Sequence, residues 1–432
     1  MSPEWIGIVG VCVLMLLMFS GMWLGFAMAL VGFLGLIFIS GFDGAVKVLG
    51  TNPYTTMAFY PISSLPFFVV MGIIVGAAGL STDLYATAHK WFGRLPGGLA
   101  ISTTFACGGF AAITGSSSAS VLTMGSVALP EMKKYNYDHG LATGTIAAGG
   151  TIGILIPPSL GFILYAILTE QSIGRLFMAG ILPGIFQVLA YAAIILIMCY
   201  RNPALGPRGP RSTMKEKIQS LKYTWPVLFL FLLVIGGMYA GTFTPTEAAS
   251  IGAGGSILIV LVMRRLTVKG VFENIVASFR MVGMLFVLIM GAFIFAHFIA
   301  LSRLPHALSD FVTGLHVSKY LILLFIVIIY IILGMFTEIN SSIVLTIPVL
   351  YPVVMSLGFD PIWFGVIVVK LMEIGLVTPP IGMNVFLLGG TSDVPLSTIF
   401  RGVFPFVISD FVQLAILIAV PQISLFLPQS MF

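Results

Sequence analysis

The chain has 432 residues, of which 59% are apolar and only 8% are charged, and its mean hydropathy is +1.11. This composition excludes a soluble domain with an ordinary surface and predicts an all-α polytopic protein in a lipid bilayer. The net charge of +5 does not indicate a nucleic-acid partner, because the basic residues collect in short loops between apolar stretches. Three cysteines lie far apart in apolar runs and predict neither a disulfide nor a metal framework: Cys12, Cys107 and Cys199.

The N-terminal region, residues 1–80, predicts scaffold helices. Apolar stretches near 5–20, 23–40 and 62–79 are each close to the length that crosses a hydrocarbon core. The first stretch has no basic segment before it and no small-residue cleavage site, so we interpret it as a span and not as a removable signal. Residues 80–95 mix polar and apolar side chains and predict an interfacial arm.

Residues 96–200 predict a more complex unit. The apolar stretch 97–130 carries a run of small polar residues at 114–118, which indicates a re-entrant hairpin with a polar tip. The next stretch, 138–168, is interrupted by Pro157-Pro158, and two consecutive residues without an N–H group end a helix. We therefore expect a hairpin, a broken helix and a final span in this unit.

The central part of the chain predicts a connection and further scaffold. Six basic residues indicate a cytoplasmic loop at 201–223. Apolar stretches then predict scaffold helices within 224–300. Residues 301–317 again mix polar and apolar side chains and predict a second interfacial arm.

Residues 318–426 repeat the organisation of the first unit. Sliding the chain by 222 positions lays residues 115–196 over 337–418 without a gap. The matched residues are mostly Gly, Pro, Ser and Asp, which break helices at membrane depth and line sites in transporters built from repeats. The second unit therefore predicts a hairpin with polar residues at 337–342, a helix broken at Pro379-Pro380 and a last span.

Charge predicts that the two repeats are inverted in the membrane. Basic residues flank the first hairpin on both sides, at Lys90, Arg94, Lys133 and Lys134, whereas residues 354–356 after the second hairpin carry no charge. Five predicted passes separate the hairpins, and an odd number turns the second repeat upside down. Both termini then lie outside.

The hairpin tips can bind ions of either sign. At the first tip, hydroxyl and freed carbonyl oxygens suit a hard cation, while the N-terminus of the returning helix near Ser118 and Ala119 suits an anion. The alternative is that the serines only cap a helix and allow close packing. The second tip carries Glu338 and Asn340 at the positions of Ser116 and Ser118, so the two tips differ chemically.

Few ionisable residues lie in the predicted spans, and each is a functional hypothesis. Glu338 and Glu373 lie at the second repeat's predicted site, but either could instead pair with Lys370 or with the N-terminus of a half-helix. We interpret His297 as a packed or interfacial imidazole and Glu247 as a first-turn residue that stabilises its helix. The remaining member of this set is Asp410.

Several motifs together resemble one family. They are the segment 244–249 (Thr-Pro-Thr-Glu-Ala-Ala), the Gly-Ser-Ser-Ser-Ala tip at 115–119, the Ile-Leu-Ile-Pro-Pro-Ser break at 154–159, residues 357–361 and the long motif at 373–384. They are similar to those of the large membrane subunit of tripartite ATP-independent periplasmic (TRAP) transporters. The resemblance implies sodium-coupled import of an organic acid by an elevator movement across the bacterial inner membrane. It also implies a small four-helix membrane subunit and a periplasmic substrate-binding protein as partners, and sodium as coupling ion with no other cofactor.

The same resemblance implies two sodium sites, each formed by a hairpin tip and a helix break. The predicted sodium-binding residues are Ser116, Ser118, Gly149 and Gly153 in the first repeat and Thr337, Asn340, Gly375 and Thr378 in the second. The predicted substrate-binding residues are Ser117, Ser118, Ala119, Pro158, Asn340, Ser341, Pro380 and Asn384.

Two other functions are alternatives to this one. A self-sufficient sodium/carboxylate symporter of similar architecture would need no binding protein. An intramembrane enzyme has no support, because the sequence contains no His-Glu-x-x-His pair, Cys/His cluster or Ser/His/Asp arrangement. Dicarboxylates, sialic acids, other sugar acids, keto acids and ectoine-like solutes all fit as substrates.

Overall fold

The structure is a computed structural model that describes residues 2–315 and 317–431, apart from the side chain of Ala111. These residues form helices and connections, and no strand occurs among them. In this described part, ten helices are long and apolar enough to cross a membrane. The prediction of an all-α polytopic membrane protein is therefore confirmed. His316, at the end of the predicted second arm, lies outside the described residues.

The N-terminal helices extend further than the sequence predicts. They are α1 (Pro3–Phe19), α2 (Leu24–Met57), α3 (Ser64–Ala77) and α4 (Leu80–Phe92). Helix α2 does not end near residue 40 but turns at Gly41, where φ is +78°, and continues to Met57. Glycine adopts this left-handed conformation without a steric cost, so the chain can bend there and continue as a helix.

The first repeat contains the predicted hairpin and broken helix. The hairpin is formed by α5 (Gly98–Thr114) and α6 (Ser117–Lys134), which meet at the tip residues 115–116. The broken helix consists of α7 (His139–Leu155) and α8 (Leu160–Thr169), with both prolines in the gap, and α9 (Ile173–Arg201) follows.

The central region supplies helices that pack with the N-terminal ones. Helix α10 (Met214–Phe231) begins inside the predicted basic loop and continues through a π-helical turn into α11 (Gly237–Tyr239). Helices α12 (Pro245–Val262), α13 (Val268–Leu301) and α14 (Leu304–Gly314) follow. Helix α2 packs along α13, and α3 packs on α12 and α13.

Glu247 has the structural role that the sequence predicts. Its Oε2 accepts a hydrogen bond from the backbone N–H of Thr244 at 2.8 Å, and the Thr244 hydroxyl accepts one from the Glu247 N–H at 3.3 Å. This reciprocal capping box starts α12 and satisfies two backbone donors that the helix itself cannot.

The second repeat has the same order of helices. It consists of α15 (Lys319–Phe336), α16 (Ile339–Ser356), α17 (Pro361–Val377), α18 (Met383–Thr391) and α19 (Leu396–Ala419). The short α20 (Gln422–Gln429) packs on α9. A second hairpin and a second broken helix are therefore present. The orientation of the two repeats relative to the membrane stays a prediction.

The repeats interlock through their short helices. Helix α6 of the first hairpin packs on α18, and α16 of the second hairpin packs on α8, so each returning helix meets the short helix of the other repeat. Helices α7 and α17 lie at the centre, and every residue after the first in each helix is buried. Helix α7 also crosses α19 closely, since a Cβ on Gly144 would lie 2.3 Å from the Gly402 carbonyl.

Candidate ion and substrate site

The two hairpin tips meet in one cavity. Its lining includes residues 115–118 of the first tip and 338–340 of the second. Leu160 and Gly161 follow the first helix break, and Leu376 precedes the second. The cavity volume is about 30 Å³, which suits a small ion or water but not an organic acid. The structure thus brings the predicted residues Ser116, Ser117, Ser118 and Asn340 together.

The first tip is fixed by close backbone contacts. Ser116 caps α6, because its hydroxyl accepts a hydrogen bond from the Ala119 N–H at 3.4 Å. The capping interpretation therefore holds for Ser116, which also lines the cavity. Gly115 has φ of +57°, and a Cβ there would lie 2.5 Å from the Pro158 carbonyl oxygen. Only glycine fits this contact, which places Pro158 directly against the tip.

The helix breaks leave carbonyl groups without their usual donors. In a continuous helix the carbonyl of Gly153 would accept from the nitrogen of residue 157, which is a proline and has no hydrogen. The carbonyl of Gly375 likewise lacks its usual helical donor, because residue 379 is a proline. It accepts a hydrogen bond from the Thr378 N–H instead, at 3.2 Å. A Cβ on Gly153 would lie 3.2 Å from the Ser116 carbonyl, so the first break and the first tip are in contact.

The second tip has its own polar contacts. The Asn340 amide donates to Glu338 Oε1 at 2.8 Å, and the Thr337 hydroxyl contacts that of Ser342. Gly375 packs against Gly334 of α15. A Cβ atom added to either glycine would lie against the backbone of the other helix. Glu338 is exposed and pairs with Asn340, not with Lys370.

Other predicted site residues lie elsewhere. Gly149 faces α5, since a Cβ there would lie 3.0 Å from the sulfur of Cys107. Pro380 is exposed at the second break, Thr378 and Ser341 are half-buried, and Pro380 does not occur among the described residues that line the tip cavity. These assignments stay predictions.

Ser117 and Asn384, both predicted to bind substrate, contact each other. The Ser117 hydroxyl donates to Asn384 Oδ1 at 3.0 Å, and the Asn384 amide donates to the Ala147 carbonyl at 3.2 Å. Asn384 is fully buried and Ser117 is nearly so. In this arrangement their polar atoms join α6, α7 and α18.

A second, larger cavity adjoins the first. It has a volume of about 360 Å³ and shares Ser116, Leu160 and Met281 with the tip cavity. Most of its lining is apolar and comes from α3, the first hairpin and α13, with Ala119, Thr114, Thr123 and Asn274 among its members. Its size falls within the range of small-molecule sites. Sequence reasoning missed the contribution of α3 and α13, because a single Asn274 in a long helix gives no distinctive signal.

Glu373 pairs with Lys370, which is one of the alternatives that the sequence leaves open. The pair belongs to a buried ionic cluster. The Lys370 ammonium lies 3.3 Å from Glu373 Oε2 and 2.7 Å from Asp410 Oδ1. The Tyr191 hydroxyl donates to Asp410 Oδ2 at 2.7 Å. All four side chains are fully buried. His297, by contrast, is exposed on α13.

The comparisons with known proteins assign the family. Residues 11–423 match the family model described as tripartite ATP-independent periplasmic transporter, DctM component. The chain belongs to this family. It is 36% identical to the C4-dicarboxylate TRAP transporter large permease protein DctM of Pseudomonas aeruginosa. The matched region covers 89% of this chain and 90% of that protein.

Other relatives cover nearly the whole chain. The sialic acid TRAP transporter large permease protein SiaM of Vibrio cholerae is 30% identical, over 96% of each chain. The 2,3-diketo-L-gulonate TRAP transporter large permease protein YiaN of Escherichia coli is 31% identical, over 93% of this chain and 94% of the relative. The solved structure of the YdaH transporter of Alcanivorax borkumensis shares the fold, with a TM-score of 0.67, 16% identity and coverage of 97% and 98%.

These findings confirm the resemblance drawn from the motifs. The chain is a TRAP transporter large permease, a multi-pass protein of the inner membrane, and a transporter and not an enzyme. As a large permease of a tripartite system, it works with a small membrane subunit and a periplasmic binding protein.

Proposed function

We propose that this TRAP large permease imports an organic acid together with sodium, by an elevator movement of the repeats against the scaffold helices. The observation that carries the proposal is the meeting of two polar hairpin tips in one small cavity beside a larger one. The small cavity suits the ion, and the larger one suits the acid.

The chemistry of the small cavity fits sodium. Its lining offers hydroxyl, amide and carboxylate oxygens from Ser116, Asn340 and Glu338, and sodium prefers oxygen ligands. The carbonyl of Gly153, which lacks its helical donor, lies on the adjacent break. Sodium is a co-transported substrate in this proposal.

Electrostatics explain why an acid would need sodium. Among the described residues that line the two cavities, no lysine, arginine or histidine occurs. A carboxylate moved out of water without a positive partner is strongly disfavoured. Bound sodium and the N-terminus of α6 would supply that positive charge, so binding of the acid and of sodium would favour each other.

The names of the relatives support an organic acid as the substrate class. The large permeases of P. aeruginosa, V. cholerae and E. coli are named for a C4-dicarboxylate, sialic acid and 2,3-diketo-L-gulonate. These compounds differ in size but share an acid group. We therefore assign an organic acid to this chain, captured first by the periplasmic binding protein and delivered to the permease and its four-helix partner.

The dependence on partners separates this proposal from a self-sufficient symporter. The test is uptake into proteoliposomes that contain this chain alone, or this chain with the small subunit, or both with the cognate binding protein. The probes are radiolabelled succinate, sialic acid and 2,3-diketogulonate, selected first by their stabilisation of the binding protein. Uptake only in the complete system supports the proposal, whereas robust uptake by the isolated chain would favour the self-sufficient symporter.

A further inference from the structure

Gln187 lies at the centre of the buried cluster. With its side-chain amide oriented to satisfy its neighbours, Nε2 donates to Glu373 Oε2 at 3.2 Å, and Oε1 lies 3.2 Å from the Lys370 ammonium. The same oxygen lies 3.3 Å from the hydroxyl of Thr151, which can donate to it or to the Ala148 carbonyl of its own helix at 2.7 Å. It also lies 3.2 Å from the Tyr191 hydroxyl, whose single proton goes to Asp410. An ammonium group only donates, so it must face the amide oxygen and not the amide nitrogen. Gln187 is fully buried.

Gln187 contacts α7 and α17 at positions that are equivalent in the two repeats. Thr151 and Glu373 are 222 residues apart and therefore match each other in the internal repeat. Each lies two residues before a glycine whose carbonyl is predicted to bind sodium, Gly153 or Gly375. One amide on α9 thus joins the ends of α7 and α17 immediately before both helix breaks.

The bridge is held rigidly on the second-repeat side. Lys370 is clamped between Glu373 and Asp410, and Tyr191 donates to Asp410 from the same helix as Gln187. Because these groups are buried and charged, separating any of them from its partners carries a large cost. The Thr151 hydroxyl is the contact that ties the first-repeat helix to this cluster.

We infer that Gln187 is a positioning residue that couples the two predicted sodium sites. Sodium binding at one helix break fixes that break, and the Thr151–Gln187–Glu373 bridge transmits the fixed position to the other. Binding at the first site then raises the affinity of the second, and the reverse holds by linkage. This inference rests on the proposed sodium coupling and adds cooperativity and the residues that carry it.

The sharpest test removes one hydroxyl. Thr151→Val keeps the shape of the side chain but removes its contact with Gln187, together with its bond to the Ala148 carbonyl of the same helix. Thr143→Val is the matched control, since Thr143 lies on the same helix, is equally buried and bonds only to carbonyls of that helix, with the His139 carbonyl at 2.6 Å. The readout is the melting temperature of the purified protein as a function of sodium chloride, with choline chloride holding ionic strength constant.

The expected result is a cooperative sodium dependence in the wild-type protein and in Thr143→Val, with a Hill coefficient above one. In Thr151→Val the coefficient should fall to one and half-saturation should shift to at least about fivefold higher sodium, the lower end of typical coupling between sites. Thr151→Ser, which retains a hydroxyl, should restore both values. If Thr151 had a merely structural role, Thr151→Val would lower the melting temperature measured in the absence of sodium and would leave the Hill coefficient unchanged.

The outcomes separate this inference from the proposed function. Unchanged cooperativity in both Thr151→Val and Gln187→Met overturns the inference and leaves sodium coupling standing, and so does a wild-type Hill coefficient of one. If Thr151→Val does not fold, Gln187→Met decides alone. Absence of any sodium dependence in the wild-type protein would overturn both.

Discussion

The hydroxyl of Ser117 donates to the side-chain oxygen of Asn384 across 267 positions of sequence, at a distance of 3.0 Å. This bond joins the tip of the first hairpin to the short helix after the second break. Each repeat therefore helps to hold the other's site, which agrees with the packing of α6 on α18 and of α8 on α16.

Removing this bond should loosen the junction. Asn384→Ala leaves the buried Ser117 hydroxyl without its acceptor, and a buried unpaired polar group costs about 1–3 kcal/mol. We expect a lower melting temperature, measured on the purified protein. Ser126→Ala is the control, because that exposed serine on α6 bonds only to its own helix. Equal melting temperatures for Asn384→Ala and the control would show that the junction contributes nothing.

The inverted arrangement predicts opposite accessibility. Cysteines introduced at Lys133 and Ser356, both exposed at the base of a hairpin, should react with a membrane-impermeant thiol reagent from opposite sides of the membrane. The native cysteines are first replaced by alanine. Reaction of both positions from the same side would contradict the inverted repeats.

The serines of the first tip should control sodium affinity. Ser116→Ala and Ser118→Ala each remove a candidate oxygen ligand, which we expect to weaken sodium binding by about tenfold, or about 1.4 kcal/mol. Ser172→Ala controls for lost capping, because Ser172 accepts from the Arg175 N–H at 3.4 Å at the start of α9, as Ser116 does from Ala119. The measurement is the sodium concentration that half-saturates uptake. If the Ser172 variant shifts it equally, Ser116 and Ser118 only cap and pack.

The first tip should not tolerate a side chain at Gly115. An alanine there must adopt a left-handed conformation, which costs about 1–2 kcal/mol, and its Cβ would overlap the Pro158 carbonyl. We expect Gly115→Ala to lower the melting temperature and to weaken sodium-dependent stabilisation. Gly254→Ala on α12, where nothing lies within 4 Å, should be neutral or stabilising. A Gly115→Ala protein with wild-type sodium response would rule out this tip geometry.

Much of this architecture could be predicted because its signals are local. Polar tips and paired prolines interrupt apolar runs, and the 222-residue repeat shows each interruption twice. Contacts between distant helices have no such signal. The turn at Gly41 depends on a backbone angle, and Gln187 is a single polar residue in an apolar run whose partners lie on other helices. The pairing of Ser117 with Asn384 likewise required the fold, since each residue alone suggested substrate binding.

The most direct measurement of the central claim is accumulation of the organic acid by the complete three-component system in proteoliposomes under an inward sodium gradient. The account predicts accumulation above the external concentration, and its loss when potassium replaces sodium at equal ionic strength and membrane potential. Accumulation of the same extent without sodium would contradict the claim that the two hairpin tips form the site of a sodium-coupled importer.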